Sequence, residues 1–221
     1  RINERAAKVH DGQIWIKRVV AEMGGKDAII VAHDADLEEA ATGVVQSAFG
    51  FQGQKCSACS RAIIDARVYD KMVDKIVDRT AKLKLADPTD PATNMSAVIN
   101  EKAFKAINSY IEKGTSEGGR VVIGGGSDGE QGFFIEPTVI ADVKAGATVE
   151  QEEIFGPVLA VIKAENYDDA LKIANDTEFG LTGAVYSADE AKLQRAIREF
   201  HVGNLYLNRK CTGALVGVHP F

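Results

Sequence analysis

Long apolar runs, clustered basic residues and paired cysteines are all scarce in this sequence, and each scarcity removes a class of function. No stretch approaches the ~20 consecutive apolar residues that a membrane-spanning helix needs, and no charged-then-apolar leader opens the chain, so no membrane partner is expected. Lysine and arginine total 26 against 32 aspartates and glutamates, a net charge of −6, and the basic residues are scattered. A phosphate backbone demands a concentrated positive stripe, so nucleic acid is not expected as a partner either. Three cysteines in 221 residues make an odd set and no secreted disulfide framework. Reduced thiols and a cytoplasmic location are the expectation. Internal repeats and low-complexity segments are missing. The signature G-x-G-x-x-G is absent too, which leaves the glycine run at residues 124–126 as a plain turn.

What is present is a globular composition. With 45% hydrophobic residues the chain can bury a core as one large domain or somewhat more. Residues 1–9 read as the last turns of a helix, and Asp11-Gly12 as a turn before the apolar, strand-like run 14–20. D-A-I-I-V, ending at Val31, is a buried-strand pattern. Leu37, Ala40, Ala41, Val44, Val45 and Ala48 recur at helical spacing behind aspartate caps. R-A-I-I-D is a strand, Val68, Met72, Val73 and Ile76 mark a helix face, and D-P-T-D-P is a polar linker. Phe104, Ile107, Tyr110 and Ile111 make the next amphipathic helix, followed by the short strand R-V-V-I. G-F-F-I-E-P-T-V-I and P-V-L-A-V-I-K-A are apolar and β-branched, hence strands, with E-E-I-F-G-P on a loop between them. A helix over residues 168–176, the strand G-A-V-Y-S, a helix over 188–200 and the strand G-N-L-Y-L-N complete the chain. This alternation predicts an α/β fold, a largely parallel sheet flanked by helices on both faces, with ligands gathered at strand ends and loops.

Residues 51–61, F-Q-G-Q-K-C-S-A-C-S-R, present a thiol in a polar, glycine-marked turn, which makes Cys56 a candidate nucleophile. A free cysteine is commonly no more than a small buried hydrophobe, but Gln52, Gly53, Gln54, Lys55 and Ser57 favour presentation to a cavity. An unperturbed thiol has a pKa of about 8.5, so activation by a nearby base or a helix N-terminus is required. Glu22, in V-A-E-M-G-G-K, supplies a carboxylate at the end of an apolar run, and two glycines let the backbone turn sharply beneath it. Thiol and carboxylate together suffice for covalent catalysis followed by assisted hydrolysis. Cys56 and Cys59 also form C-S-A-C, which fits a redox pair or half of a zinc site. Cys211 and the histidines His10, His33, His201 and His219 are scattered singly and supply no second ligand pair, so no metal is expected.

The ordered set E-M-G-G-K (22–26), G-Q-K-C (53–56), E-I-F-G-P (153–157) and G-N-L-Y-L-N (203–208) resembles the catalytic half of the aldehyde dehydrogenase superfamily, over essentially the whole chain. C-S-A-C-S-R and N-R-K-C-T-G-A-L-V-G-V-H-P-F resemble the branch that oxidises 1-pyrroline-5-carboxylate, or glutamate-γ-semialdehyde, to glutamate in proline breakdown. The resemblance implies Cys56 as nucleophile toward the aldehyde and donor of an oxyanion-stabilising backbone N–H, with Glu22 as general base for thioester hydrolysis. It implies NAD as cofactor, with Glu153 holding the nicotinamide ribose and Phe155 packing near the ring. Ser57, Gly213, Ala214 and Phe221 would contact the substrate, and Cys59 and Cys211 would be structural. Residues 14–221 would form the catalytic domain and 1–13 the end of a preceding cofactor-binding domain or linker. Arg1 in mid-helix and Phe221 straight after G-V-H-P suggest a piece of a longer polypeptide. The family's N-terminal cofactor domain, its second oxyanion donor and its C-terminal oligomerisation segment have no counterpart here. Weak or no NAD binding by residues 1–221, and a homo-oligomer for the full-length protein, are therefore expected. A different aldehyde substrate, or a non-catalytic scaffold with the same fold, remain alternatives.

Overall fold

A computed structural model describes residues 1–215 and 218. A short helix α1 (Ile2–Ala6) opens the chain, and almost everything up to residue 23 lies exposed. The packed body begins at strand β1 (Asp27–Val31), followed by helix α2 (Leu37–Phe49), β2 (Cys59–Asp65), α3 (Tyr69–Thr80), α4 (Glu101–Ser116) and β3 (Arg120–Ile123). Then come β4 (Ser127–Asp128), β5 (Phe134–Ile135), β6 (Thr138–Ala141), α5 (Thr148–Gln151) and β7 (Val158–Ala164). Helix α6 (Tyr167–Asn175), β8 (Thr182–Tyr186), α7 (Glu190–Glu199) and β9 (Asn204–Leu207) follow.

Seven strands form one sheet in the order β3-β6-β7-β2-β1-β8-β9, parallel except for the edge strand β3. Every residue of β1 is buried, because both faces of the sheet are covered and the strand therefore reads as a continuous apolar run. Ile29 and Val31 point into one core layer with Val44, Ala48, Met72 and Ile76 of α2 and α3. Ala28 and Ile30 point into the other with Ile107, Leu171 and Ala196 of α4, α6 and α7. Side-chain caps start the helices: Asp36 accepts from the backbone N–H of Glu38 and Glu39, Asn100 from Ala103, Asn166 from Asp169 and Asp189 from Ala191. Each satisfies donors that the first turn leaves without partners. Among the described residues no helix is long and apolar enough to cross a membrane.

Two expectations are corrected. The apolar run 14–20 forms no strand; Ile14, Trp15, Ile16 and Val20 lie exposed, since a strand needs a ladder partner and none of the described residues pairs with it. G-F-F-I-E-P-T-V-I is two strands, not one. Pro137 has no N–H to give a ladder, and the chain changes sheets there: β5 pairs with β4 in a separate two-stranded ribbon, while β6 joins the main sheet.

Candidate active site

Strand order explains why motifs far apart in sequence meet. Beta strands β7, β2 and β1 are neighbours, so the segments entering them, residues 153–157, 53–58 and 22–26, emerge side by side at the amino ends of the strands. Ligands of open parallel sheets usually gather at the carboxyl ends. Here the candidate site uses the opposite edge.

Glycines let these segments touch. The Gly25 N–H donates to Glu153 Oε1 at 3.0 Å, and a Cβ on Gly24 would collide with the Glu153 carboxylate. A Cβ on Gly25 would collide with the carbonyl oxygen of Cys56 and lie 2.6 Å from Asp27 Oδ2. The nucleophile turn itself follows α2 through two left-handed residues, Phe51 (φ 59°) and Gln52 (φ 57°), and Gln54 Oε1 ties it to the Ile99 N–H at 2.9 Å.

Cys56 is half-buried, and the exposed Glu22 carboxylate lies near enough to act on its thiol. Burial pushes the thiol pKa above its ordinary value; the Glu22 hydrogen bond and negative charge push it further, and the charge of Asp27 adds to them. The turn that carries Cys56 lies beyond the C-terminal end of α2, not at that helix's N-terminus. A carboxylate, Glu22, lies near the thiol.

Ser57 sits beside the nucleophile, and its carbonyl accepts from Cys211 Sγ at 3.7 Å. Cys211 and Cys59 are both buried, and the Cys211 bond to Ser57 seats residues 211–214 next to the turn that carries Cys56. Gly213 (φ 115°) is exposed there and Ala214 half-buried; Phe221 lies outside the described residues. Glu153 is half-buried with Oε1 engaged by Gly25, while Phe155, in a left-handed conformation (φ 54°), turns a 45% exposed ring outward. Two surface clefts of about 590 and 510 Å³ lie elsewhere, and neither includes a candidate site residue. The geometry that brings reactive groups together, not the roomiest concavity, marks the site.

Sequence reasoning missed a charged cluster directly behind this edge. Arg61 is 1% exposed and donates to the Lys26 carbonyl (2.9 Å), Glu150 Oε1 (2.8 Å) and the carbonyls of Ile173 and Ala174 (3.1 Å each) at the end of α6. Lys26 is as deeply buried, and its ammonium nitrogen has no hydrogen-bond partner among the described residues. Burial lowers its pKa to about 7, the nearby Arg61 charge helping. The available signal was a charged residue at the first turn of otherwise apolar strands, Lys26-Asp27 before A-I-I-V and Arg61 before A-I-I-D.

The aldehyde dehydrogenase family model matches residues 1–221. The chain is 60% identical over 221 residues to 1-pyrroline-5-carboxylate dehydrogenases of Geobacillus sp. (strain WCH70) and Geobacillus kaustophilus, covering all of this chain and 43% of each relative. A crystal structure of 1-pyrroline-5-carboxylate dehydrogenase from Thermus with bound NAD superposes with TM-score 0.91 at 49% identity, covering 100% of this chain and 42% of that one. Proline utilization A from Bdellovibrio bacteriovorus gives TM-score 0.90 at 46% identity, covering 100% of this chain and 23% of its own. The chain thus spans less than half the length of the curated relatives it matches.

Proposed function

The chain belongs to the aldehyde dehydrogenase family, and from that premise we propose that it is the catalytic part of an NAD-dependent 1-pyrroline-5-carboxylate dehydrogenase, oxidising glutamate-γ-semialdehyde to glutamate in the cytoplasm. Residues 14–221 form its catalytic domain, with 1–13 leading from a cofactor-binding domain, and the full-length protein is a homo-oligomer. The observation that carries the proposal is the meeting of the Cys56 thiol with the Glu22 carboxylate at an edge where Glu153 is already fixed by Gly25. The relatives named above support the substrate.

In this scheme the Cys56 thiol gives its proton to the nearby Glu22 carboxylate and attacks the aldehyde carbon. The backbone N–H of Cys56 faces the oxygen that gains charge, where a preorganised donor stabilises the tetrahedral state. After oxidation, the protein is left as a thioester on Cys56. Glu22 then takes a proton from the water that hydrolyses it, a contribution of about 10²–10⁴-fold for a positioned base. The residues present fit the cofactor: Glu153 keeps Oε2 free of the Gly25 bond to accept from ribose hydroxyls, and the exposed Phe155 ring offers an apolar face to the nicotinamide. When bound, NAD supplies the hydride acceptor. Ser57, Gly213 and Ala214 contact the substrate. Exposed backbone N–H groups suit its α-carboxylate, since they donate without a competing side-chain charge.

The test joins this chain to the cofactor-binding portion of a Geobacillus relative and follows NADH formation. Glutamate-γ-semialdehyde should be oxidised faster than simple aliphatic aldehydes. Cys56→Ala should abolish the reaction, and Glu22→Gln should slow both the first turnover and the steady state. Full activity in Cys56→Ala, or a preference for aliphatic aldehydes, contradicts the proposal.

A further inference from the structure

Asp27 opens β1 immediately behind the candidate nucleophile, and the mechanism above makes no use of it. Its side chain is 2% exposed. Oδ1 accepts the Thr182 N–H at 2.6 Å, which fixes the carboxyl to β8, whereas Oδ2 has no hydrogen-bond partner among the described residues. Oδ2 and the Cys56 carbonyl oxygen crowd the same face of Gly25, so a second acceptor oxygen lies against the back of the nucleophile's own peptide group. Two acceptors brought together away from water repel unless a proton lies between them. Asp27 also lines a small cavity of about 10 Å³ together with Lys26, Arg61 and Thr182.

We propose that Asp27 is a positioning residue for Cys56: its free carboxyl oxygen sits against the nucleophile's peptide group, and its charge state sets how readily the thiol ionises. The proposal rests on the reading of Cys56 as nucleophile. The groups that bear on this pocket are Lys26 beside Asp27, Arg61 and Cys59 of β2, Glu150 of α5, Glu153 of the loop before β7 and the Thr182 N–H of β8, with Glu22 on the thiol from the solvent side. Arg61 is held by Glu150 and three carbonyls, and its charge still bears on Asp27, while the Lys26 ammonium has no hydrogen-bond partner among the described residues. Burial raises the Asp27 carboxyl to about 7, against the opposing Thr182 hydrogen bond and Arg61 charge. Below that pH it is neutral and leaves the thiol alone; above it, a buried negative charge beside Cys56 opposes the thiolate.

The experiment measures iodoacetamide labelling of Cys56 against pH in the 221-residue chain and in Asp27→Asn, by peptide mass spectrometry, with circular dichroism to show both are folded. The two profiles should coincide at acid pH and separate above about pH 7, with the variant labelling roughly threefold to tenfold faster, since one pKa unit is a tenfold change in thiolate. Carbon-13 NMR of the unaltered chain gives the same answer without a variant: the Asp27 carboxyl should titrate near neutrality, and the Cys56 Cβ resonance should move with it. Superimposable labelling profiles in folded proteins, or an Asp27 carboxyl that titrates in the ordinary acidic range, overturn the inference. Failure of the nucleophile reading looks different: Cys56 then labels no faster than Cys59 and Cys211 in either protein.

Discussion

Removing the carboxylate of Glu150 tests whether the buried cluster holds the site edge together. Arg61 and Glu150 form an ion pair in which neither side chain is more than 2% exposed. Glu150 Oε2 also accepts from the Gly146 N–H (3.0 Å) and from Gln151 Nε2 (2.6 Å). Glu150→Ala leaves a guanidinium charge buried without its counter-ion, which typically costs about 3–5 kcal/mol. Against the ~5–15 kcal/mol stability of an ordinary domain this is a large share, equivalent to a fall in Tm of about 6–20 °C for a chain of this size. Replacing both partners by apolar residues is often neutral in other buried pairs. It should not be here, because Arg61→Met/Glu150→Leu orphans the carbonyls of Lys26, Ile173 and Ala174, at about 1–3 kcal/mol each. Urea unfolding at constant m value reads the losses. A loss under about 1 kcal/mol for Glu150→Ala, or full recovery in the double variant, refutes the reasoning.

Glu22→Gln should lower the pH midpoint of Cys56 alkylation, because the carboxylate that raises the thiol pKa is gone; an unchanged or raised midpoint contradicts the proximity. Gly25→Ala places a methyl group into the Cys56 carbonyl and should cost about 1–3 kcal/mol of stability while changing the Cys56 labelling rate; a neutral substitution on both readouts refutes the close approach. For Asp34, burial works against ionisation, but the Lys192 and Ser187 hydrogen bonds hold its carboxyl at about 2, below the ordinary 3.8. Its stabilising effect is therefore complete above about pH 3.9 and lost as the pH falls through 2, so Lys192→Met should flatten that acid limb in urea titrations. Isothermal titration of residues 1–221 with NAD should show no micromolar affinity; such affinity would mean that Glu153, Phe155 and their neighbours bind the cofactor unaided.

Most of the architecture could be read from periodicity because the sheet is buried on both faces. D-A-I-I-V, R-A-I-I-D and P-V-L-A-V-I-K-A each hold an unbroken apolar run without polar alternation, the character of a parallel strand covered on both faces. The helices showed through their apolar spacing, and α2 also through its aspartate cap, Asp36; the caps Asn100, Asn166 and Asp189 emerged only in the structure. The misreading at residues 14–20 has the opposite cause: apolar composition is local, whereas strand formation depends on a partner that no local pattern reveals. The same gap hid the cluster of Lys26, Asp27, Arg61 and Glu150. Each of the four is an ordinary charged residue in the sequence, and only the order β7-β2-β1-β8 brings them together. The segments carrying Glu22, Cys56 and Glu153 were legible one by one, but which edge of the sheet they occupy was not.

That edge decides how the thiol can work. In a parallel sheet each crossover helix runs against its strands, so helices end where strands begin, and α2 and α6 direct their C-terminal carbonyls toward the amino edge. The negative ends of helix dipoles favour cations, which is how Arg61 comes to be anchored on the last turn of α6. A thiolate at the same edge gains nothing from them, and Glu22 and Asp27 add negative charge of their own. Cys56 is therefore held as a thiol. A protonated thiol is a poor nucleophile toward chance electrophiles and oxidants. In the proposed scheme the carboxylate that disfavours the thiolate also receives the proton, so ionisation becomes favourable only when the departing proton and the arriving carbonyl carbon are handled together. Under the proposed function, charge repulsion in the resting state and base catalysis in the reaction would be two effects of one neighbour of Cys56, Glu22.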